Sequence, residues 1–87
     1  MTYIVKNRKG AIIQEFDDIV SAMAYVRYLA WEDCKEEYMT WQVNYMFEQK
    51  LKSPNDIPEI EKELKQHELI NEREKLFIME GKKNEGH

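Results

Sequence analysis

The first side chain that could do chemistry is a single cysteine. Cys34 lies in the segment EDCKEE, with two acidic residues directly before it and two shortly after it. A reactive thiol needs nearby cations or the N-terminus of a helix to lower its pKa, whereas acidic neighbours raise it. We therefore expect Cys34 to be a small, partly buried residue without a catalytic role.

The histidines and paired carboxylates do not form a recognisable site either. A zinc site needs three or four ligands with cysteine or histidine spacing, and this chain offers only His67, His87 and the acid-flanked cysteine. A general acid and base need two environments that separate their pKa values. The pairs Asp17-Asp18 and Glu36-Glu37 are expected instead at the ends of elements, in water. The sequence predicts no catalytic residue, no metal and no cofactor, and hence no enzyme.

The sequence does not favour nucleic-acid binding. With three glycines in all, the chain has no glycine-rich phosphate-binding loop. Its net charge is −4, and a nucleic-acid-binding surface usually carries a concentrated basic stripe. The one basic cluster, Lys6, Arg8 and Lys9, is expected at the tip of a hairpin as a solvated turn, with contact to a phosphate backbone as the alternative.

Length and composition predict one small domain in a reducing compartment. A chain of 87 residues is enough for a single domain. A lone cysteine allows no internal disulfide, and small secreted domains usually contain several. The N-terminus has neither the apolar core nor the cleavage pattern of a signal peptide, and no apolar stretch is long enough to cross a bilayer. We expect a cytoplasmic protein without a membrane association.

The first third of the chain predicts a β-hairpin followed by a helix. Residues 3–6 and 11–16 are rich in β-branched and aromatic types, and the Asn-Arg-Lys-Gly segment between them suits a tight turn. Asp17 or Asp18 can cap a helix that begins at Ile19. Apolar residues then recur at three- and four-residue steps as far as Cys34, so the helix is expected to end between residues 33 and 36.

The segment EYMTWQVNYMF, residues 37–47, can be interpreted in two ways. Alternate residues from Met39 to Phe47 are large and apolar, which is typical of a strand. The same segment also places Met39, Val43 and Met46 at helical spacing. We favour the strand, because threonine, valine and aromatic residues are poor helix formers. A third antiparallel strand would complete a ββαβ unit.

The remainder of the chain predicts a break, a long helix and a tail. Pro54 marks a break at residues 53–57, and the run from 58 to 80 contains no glycine and only the proline that begins it. The predicted organisation is therefore a ββαβ core at 1–52, a C-terminal helix at 58–80 and a flexible polar tail at 81–87. The fold class is α+β. The alternative, in which 38–47 is helical, is a β-hairpin with three helices.

The surplus of aromatic and apolar residues indicates a protein-binding surface, because a three-stranded sheet with one covering helix leaves a second face that needs cover. In size and composition the chain resembles the small acidic accessory proteins of low-GC Gram-positive bacteria and their phages, many of which block host enzymes or defence systems. The resemblance implies an antagonist or regulator of another protein. The candidate partner-binding residues are Tyr25, Tyr28, Trp31, Tyr38, Trp41, Met46, Leu76 and Phe77.

Two alternatives remain from the sequence. In the first, the acidic face of the first helix imitates DNA and blocks a nucleic-acid enzyme. In the second, the C-terminal helix pairs with its copy in a structural homo-oligomer, because small domains gain needed burial in this way. The residues of that helical seam would be Leu64, Ile70, Leu76 and Phe77.

Overall fold

The computed structural model describes residues 1–82 and has an α+β fold. Three antiparallel strands, β1 (Thr2–Asn7), β2 (Ile12–Phe16) and β3 (Phe77–Lys82), form a sheet in the order β2-β1-β3. Between β2 and β3 the chain forms two helices, α1 (Ile19–Gln49) and α2 (Glu59–Glu74), joined by a short 3-10 turn at Pro54–Asp56. The first strand, β1, therefore lies at the centre of the sheet, and β3 lies at one edge.

The predicted hairpin is present, and its turn has a clear local cause. The Asn7 side-chain oxygen accepts hydrogen bonds from the backbone N–H groups of Lys9 and Ala11, at 2.9 and 3.0 Å. Gly10 has a φ of 88°, a conformation that residues with a Cβ adopt at a cost. Further along, a β-bulge lets Ile13 pack against the same core as Phe16.

The prediction of a strand at 39–47 is wrong, because α1 continues through this segment as far as Gln49. Asp18 caps the helix start as expected, and its carboxylate accepts a 2.8 Å hydrogen bond from the Ser21 N–H. The helix ends at Lys50, which takes the left-handed conformation. Trp41, one of the strong strand formers, instead packs on a cluster shared with α2. Packing between helices therefore overrides the local strand preference.

The predicted C-terminal helix at 58–80 is also corrected, since α2 ends at Glu74 and residues 77–82 form β3. The apolar run Phe77-Ile78-Met79 pairs with β1 over its whole length, so it completes a sheet that the hairpin alone leaves open. The third antiparallel strand thus exists but is formed by Phe77–Lys82, and residues 1–82 contain two α-helices, not three. Of the predicted tail, residues 81–82 lie in β3 and 83–87 fall outside the described residues.

Two separate clusters hold the elements together. In the first, Val5, Ala22 and Val26 are buried between the sheet and the first half of α1. In the second, Cys34, Tyr38 and Leu69 are buried between α1 and α2. The clusters lie one after the other along α1, so the molecule is elongated, with extents of 64 × 23 × 13 Å. A helical pair in so thin a molecule leaves outward-facing side chains uncovered.

Candidate functional site

An apolar groove of about 220 Å³ lies between α1 and β3. Its lining comprises Met23, Val26, Arg27, Glu74, Phe77 and Met79. The α1 side chains come from two adjacent helical turns, and the strand side chains are the alternate residues of β3 that face α1. We call this the β3 groove.

The β3 groove has an apolar floor and one ionic wall. Val26 is buried in the first cluster, and Phe77 is half-buried against that cluster. In contrast, Met23 is 52% exposed and Met79 is 37% exposed. Arg27 donates a 2.6 Å hydrogen bond to the Glu74 carboxylate, which ties α1 to the end of α2. The groove can therefore receive an apolar side chain between two flexible methionines.

The backbone beside the groove is a free sheet edge within the described part of the chain. The main-chain N–H and C=O of Asn7 both form 3.0 Å hydrogen bonds within the hairpin, so the main-chain groups of Asn7, Val5 and Tyr3 point toward β2. The main-chain groups of the other β1 residues point toward β3, where these residues pair with Ile78, Glu80 and Lys82. The main-chain groups of Phe77, Met79 and Gly81 therefore point outward. These unpaired groups can accept an additional strand.

The eight partner-binding residues predicted from the sequence do not form one surface. Phe77 lines the β3 groove, Leu76 is 43% exposed in the preceding turn, and Tyr28 is 56% exposed on α1. The other five are buried or half-buried: Tyr25, Trp31, Tyr38, Trp41 and Met46.

Most of the predicted aromatic residues pack against one another along α1. Tyr25 lies 5.2 Å from the Phe16 ring and 6.3 Å from Tyr28, measured between ring centroids. Tyr38 lies between Trp31 and Trp41, at 5.5 and 5.8 Å. These rings form the seam between α1 and its neighbours, and Tyr38 is only 8% exposed. The alternation expected of a strand at residues 38–47 therefore does not describe how these side chains pack.

The acidic face of α1 is partly neutralised by α2. Arg73 forms ion pairs with both Asp33 and Glu37, at 2.7 Å for the first. A broad, open depression of about 470 Å³ lies beside this cluster, between Glu37, Trp41 and Leu69. Internal pairing reduces the field that these carboxylates present to a partner. The face therefore offers less negative charge than the sequence implies.

Burial, more than charge, sets the ionisation of the two groups in the seam between the helices. Desolvation raises the pKa of the Cys34 thiol, and neighbouring Arg73 only partly opposes this rise. Desolvation also raises the pKa of the Tyr38 hydroxyl, against a smaller lowering from Lys62. Both groups are therefore neutral in the folded protein at neutral pH. The Cys34 thiol is fully buried, which does not suit a nucleophile.

Two of the three cations near the hairpin tip have partners within the protein. The Lys6 ammonium lies 2.9 Å from the Glu80 carboxylate, and Arg8 Nε donates a 2.6 Å hydrogen bond to the Lys75 carbonyl. Lys9 is exposed. These two contacts link β1 and the hairpin turn to Lys75 and Glu80.

The four residues of the predicted helical seam also have different roles. Ile70 packs against the cluster between the helices, and Phe77 packs against the core under the sheet. Leu64 and Leu76 are exposed, but the first lies in α2 and the second in the turn that follows it. The four side chains therefore do not make a continuous stripe on one helix.

Metal binding and membrane crossing are two further possibilities for residues 1–82. In this range, no three side chains of the histidine, cysteine and acidic types come together as a metal site would require. Neither described helix combines the length and the apolar character needed to cross a membrane.

Most of the residues that line the β3 groove are not among the partner-binding residues predicted from the sequence. Phe77 is among the predicted residues, but Met23, Val26, Arg27, Glu74 and Met79 are not. The available signal was the run LFIM at 76–79, whose aromatic and branched residues suit a strand as well as a helix.

Comparisons with protein-family models, curated proteins and solved structures find no match to this chain.

Proposed function

We propose that this protein is a non-enzymatic protein-binding protein that holds an extended segment of another protein along β3. The supporting observation is the β3 groove beside a free strand edge. In strand addition, main-chain hydrogen bonds supply affinity and pockets for alternate side chains supply specificity. The outward main-chain groups of Phe77, Met79 and Gly81 would provide the first, and the apolar groove would provide the second.

The chemistry of the edge defines the expected partner segment. Its backbone would be extended and unpaired, and an apolar side chain would point between Met23 and Met79. The Arg27–Glu74 pair at the groove wall would accept polar groups at one flank. Occupying such a segment would antagonise or regulate the partner, in a cytoplasmic setting that the lone free cysteine supports.

Two variants test the β3 edge, the first through its backbone and its groove together and the second through the groove alone. Met79→Pro removes an outward N–H and blocks strand addition, while the inward groups of Ile78 and Glu80 still pair with β1. Met23→Glu places a charge in the groove from an exposed helical position and leaves the strand unchanged. The control is Ile12→Glu, because Ile12 pairs opposite Lys6 and is 57% exposed away from the groove.

The measurement is affinity capture from extracts of the organism that encodes the protein, using the four folded forms in parallel. We expect wild type and Ile12→Glu to retain the same stoichiometric partner, and both groove variants to lose it. Circular dichroism verifies that each variant is folded. If wild type retains no stoichiometric partner, or if both groove variants retain it fully, the proposal is wrong.

A further inference from the structure

Two methionines line the β3 groove from its two sides, Met23 on α1 and Met79 on β3. Their side chains are 52% and 37% exposed, so small solutes in water reach both of them. Neither methionine is part of the buried cluster beneath the groove, to which Val26 belongs. A chemical change at these two side chains therefore alters the groove without entering the core.

The thioether of methionine is open to one such change, which is oxidation by a peroxide. The sulfur donates an electron pair to one oxygen of hydrogen peroxide, the O–O bond breaks, and the products are a sulfoxide and water. The sulfoxide is polar, whereas the thioether is apolar. Methionine sulfoxide reductases reverse the step with a dithiol reductant, because the oxygen leaves as water while the two thiols become a disulfide.

We propose that Met23 and Met79 are reversible oxidation sites whose sulfoxides change the β3 groove from apolar to polar. Hydrogen peroxide is the oxidant. The sulfoxide oxygens then lie where an apolar side chain would otherwise insert, and burying a polar group against an apolar one is unfavourable. Oxidation would therefore release the partner segment. That consequence rests on the proposed function, whereas the change in the polarity of the groove does not.

A neighbouring cation can hold the oxidised form in place. Arg27 follows Met23 by four residues on α1, so the two side chains are neighbours on the helix surface. The Arg27 guanidinium donates from Nη1 to Glu74 at 2.6 Å, and a guanidinium has five N–H donors in all. Another of these donors can bond to the sulfoxide oxygen of Met23. The thioether sulfur is only a weak acceptor, so this attraction is specific to the oxidised form.

The other three of the five methionines provide internal comparisons, because none of them lines the groove. Met39 is 61% exposed in the second half of α1, and Met1 is 56% exposed. Met46 is half-buried. Peroxide should therefore oxidise Met39 at least as readily as Met23 and Met79, but without changing the groove.

The probe for the groove is benzene, because an apolar cavity of about 150 Å³ is enough to bind it and the groove is larger. Protein labelled with [methyl-¹³C]methionine gives separate NMR signals for the thioether and sulfoxide forms, and single Met→Leu variants assign them. We expect benzene to shift the Met23 and Met79 signals of the reduced protein. After peroxide treatment, benzene should bind at least about tenfold more weakly. Treatment with a sulfoxide reductase and a dithiol should restore the affinity.

Two variants show which methionines are responsible. In Met39→Leu, peroxide should weaken benzene binding as much as in wild type. In the double variant Met23→Leu, Met79→Leu, followed at the Val26 methyl groups, peroxide should change the benzene affinity by less than about twofold, because the groove sulfurs are gone. The proposal is overturned if oxidised wild type binds benzene as well as the reduced form, or if the reduced form does not bind it. It is also overturned if circular dichroism shows that oxidation unfolds the protein, or if the double variant responds like wild type.

Affinity capture separates this inference from the proposed function. Oxidised wild type should lose the partner that reduced wild type retains, and the reductase should restore it. If oxidised wild type keeps the partner, the oxidation proposal is wrong and the proposed function stands. If reduced wild type captures no partner, the proposed function is wrong, and the benzene measurement still decides whether Met23 and Met79 control the polarity of the groove.

Discussion

The ammonium group of Lys6 lies 2.9 Å from a carboxylate oxygen of Glu80, although 74 residues separate the two positions. The pair joins β1 to β3 on the sheet face that points away from α1. The two residues are diagonal neighbours across the strands, since Lys6 pairs with Ile78 and Glu80 pairs with Ile4.

The Lys6–Glu80 pair should contribute modestly to stability. Both side chains are partly exposed, at 25% and 52%, so solvent screens their attraction. We expect Glu80→Gln to lower the free energy of unfolding by less than about 1 kcal/mol, with the loss shrinking at high salt. Urea unfolding of wild type and Glu80→Gln at low and high salt measures this loss of unfolding free energy. Glu63→Gln, at an exposed acid in no ion pair of the described residues, is the control and should be neutral. Equal effects of the two variants at low salt would contradict the prediction.

The α1–α2 seam should depend strongly on one leucine of α2 and little on another. Leu69 is 5% exposed against Cys34 and Tyr38, whereas Leu64 is 58% exposed on the same helix. Leu69→Ala should cost roughly 2–5 kcal/mol of unfolding free energy, because it leaves a cavity. Leu64→Ala makes the same chemical change in solvent and should cost much less. Urea unfolding of both variants at one protein concentration decides this, and similar costs would refute the observed packing of α2.

The hairpin turn should tolerate less change than the end of β3. Gly10 has a φ of 88°, so Gly10→Ala should lose about 1–2 kcal/mol of stability through backbone strain. Gly81 is the control, because a Cβ there would meet the Tyr3 ring at 3.5 Å, an ordinary contact distance. Thermal unfolding should therefore rank Gly81→Ala above Gly10→Ala. The opposite ranking would count against the left-handed turn.

Stability should fall at alkaline pH partly because of Tyr38. Burial raises the pKa of its hydroxyl in the folded protein, so the unfolded chain releases this proton at a lower pH. The contribution of the protonated Tyr38 hydroxyl to the free energy of unfolding is complete below the ordinary tyrosine pKa of about 10. This contribution declines as the pH rises through the pKa of Tyr38 in the folded protein. Tyr38→Phe removes this ionisation and keeps the ring.

The difference in unfolding free energy between wild type and Tyr38→Phe isolates this effect, since other ionisations largely cancel. We expect the difference to be constant below about pH 10 and to move steadily against wild type above it. Urea titrations from neutral to alkaline pH provide the measurement. A difference that stays flat, or that moves in favour of wild type, would show that the hydroxyl is not buried as described.

Local sequence signals were sufficient for the first third of the fold. Asn7 and Gly10 act within the turn that they form, and Asp18 caps the helix beside it. In contrast, residues 39–47 carry both a two-residue and a helical apolar pattern. Trp41 and Tyr38 become helical because α2 provides the surface on which they pack. That surface comes from residues more than twenty positions further along the chain.

The candidate site required the tertiary structure. Met23 and Met79 lie 56 positions apart in the sequence, and only the pairing of β3 with β1 places them on one groove. The exposure of Phe47 likewise depends on α2 contacting one side of α1 and leaving the other side open.

The sequence by itself determined the α+β class, the hairpin, the capped start of α1 and the abundance of apolar side chains for contacts. Each of these depends on residues close together in the chain, whose conformational preferences act locally. Only the tertiary structure decided that 39–47 is helical, that 77–82 is the third strand, and which apolar residues remain uncovered. Those outcomes depend on burial against distant elements, and burial is a property of the assembled fold rather than of a local pattern.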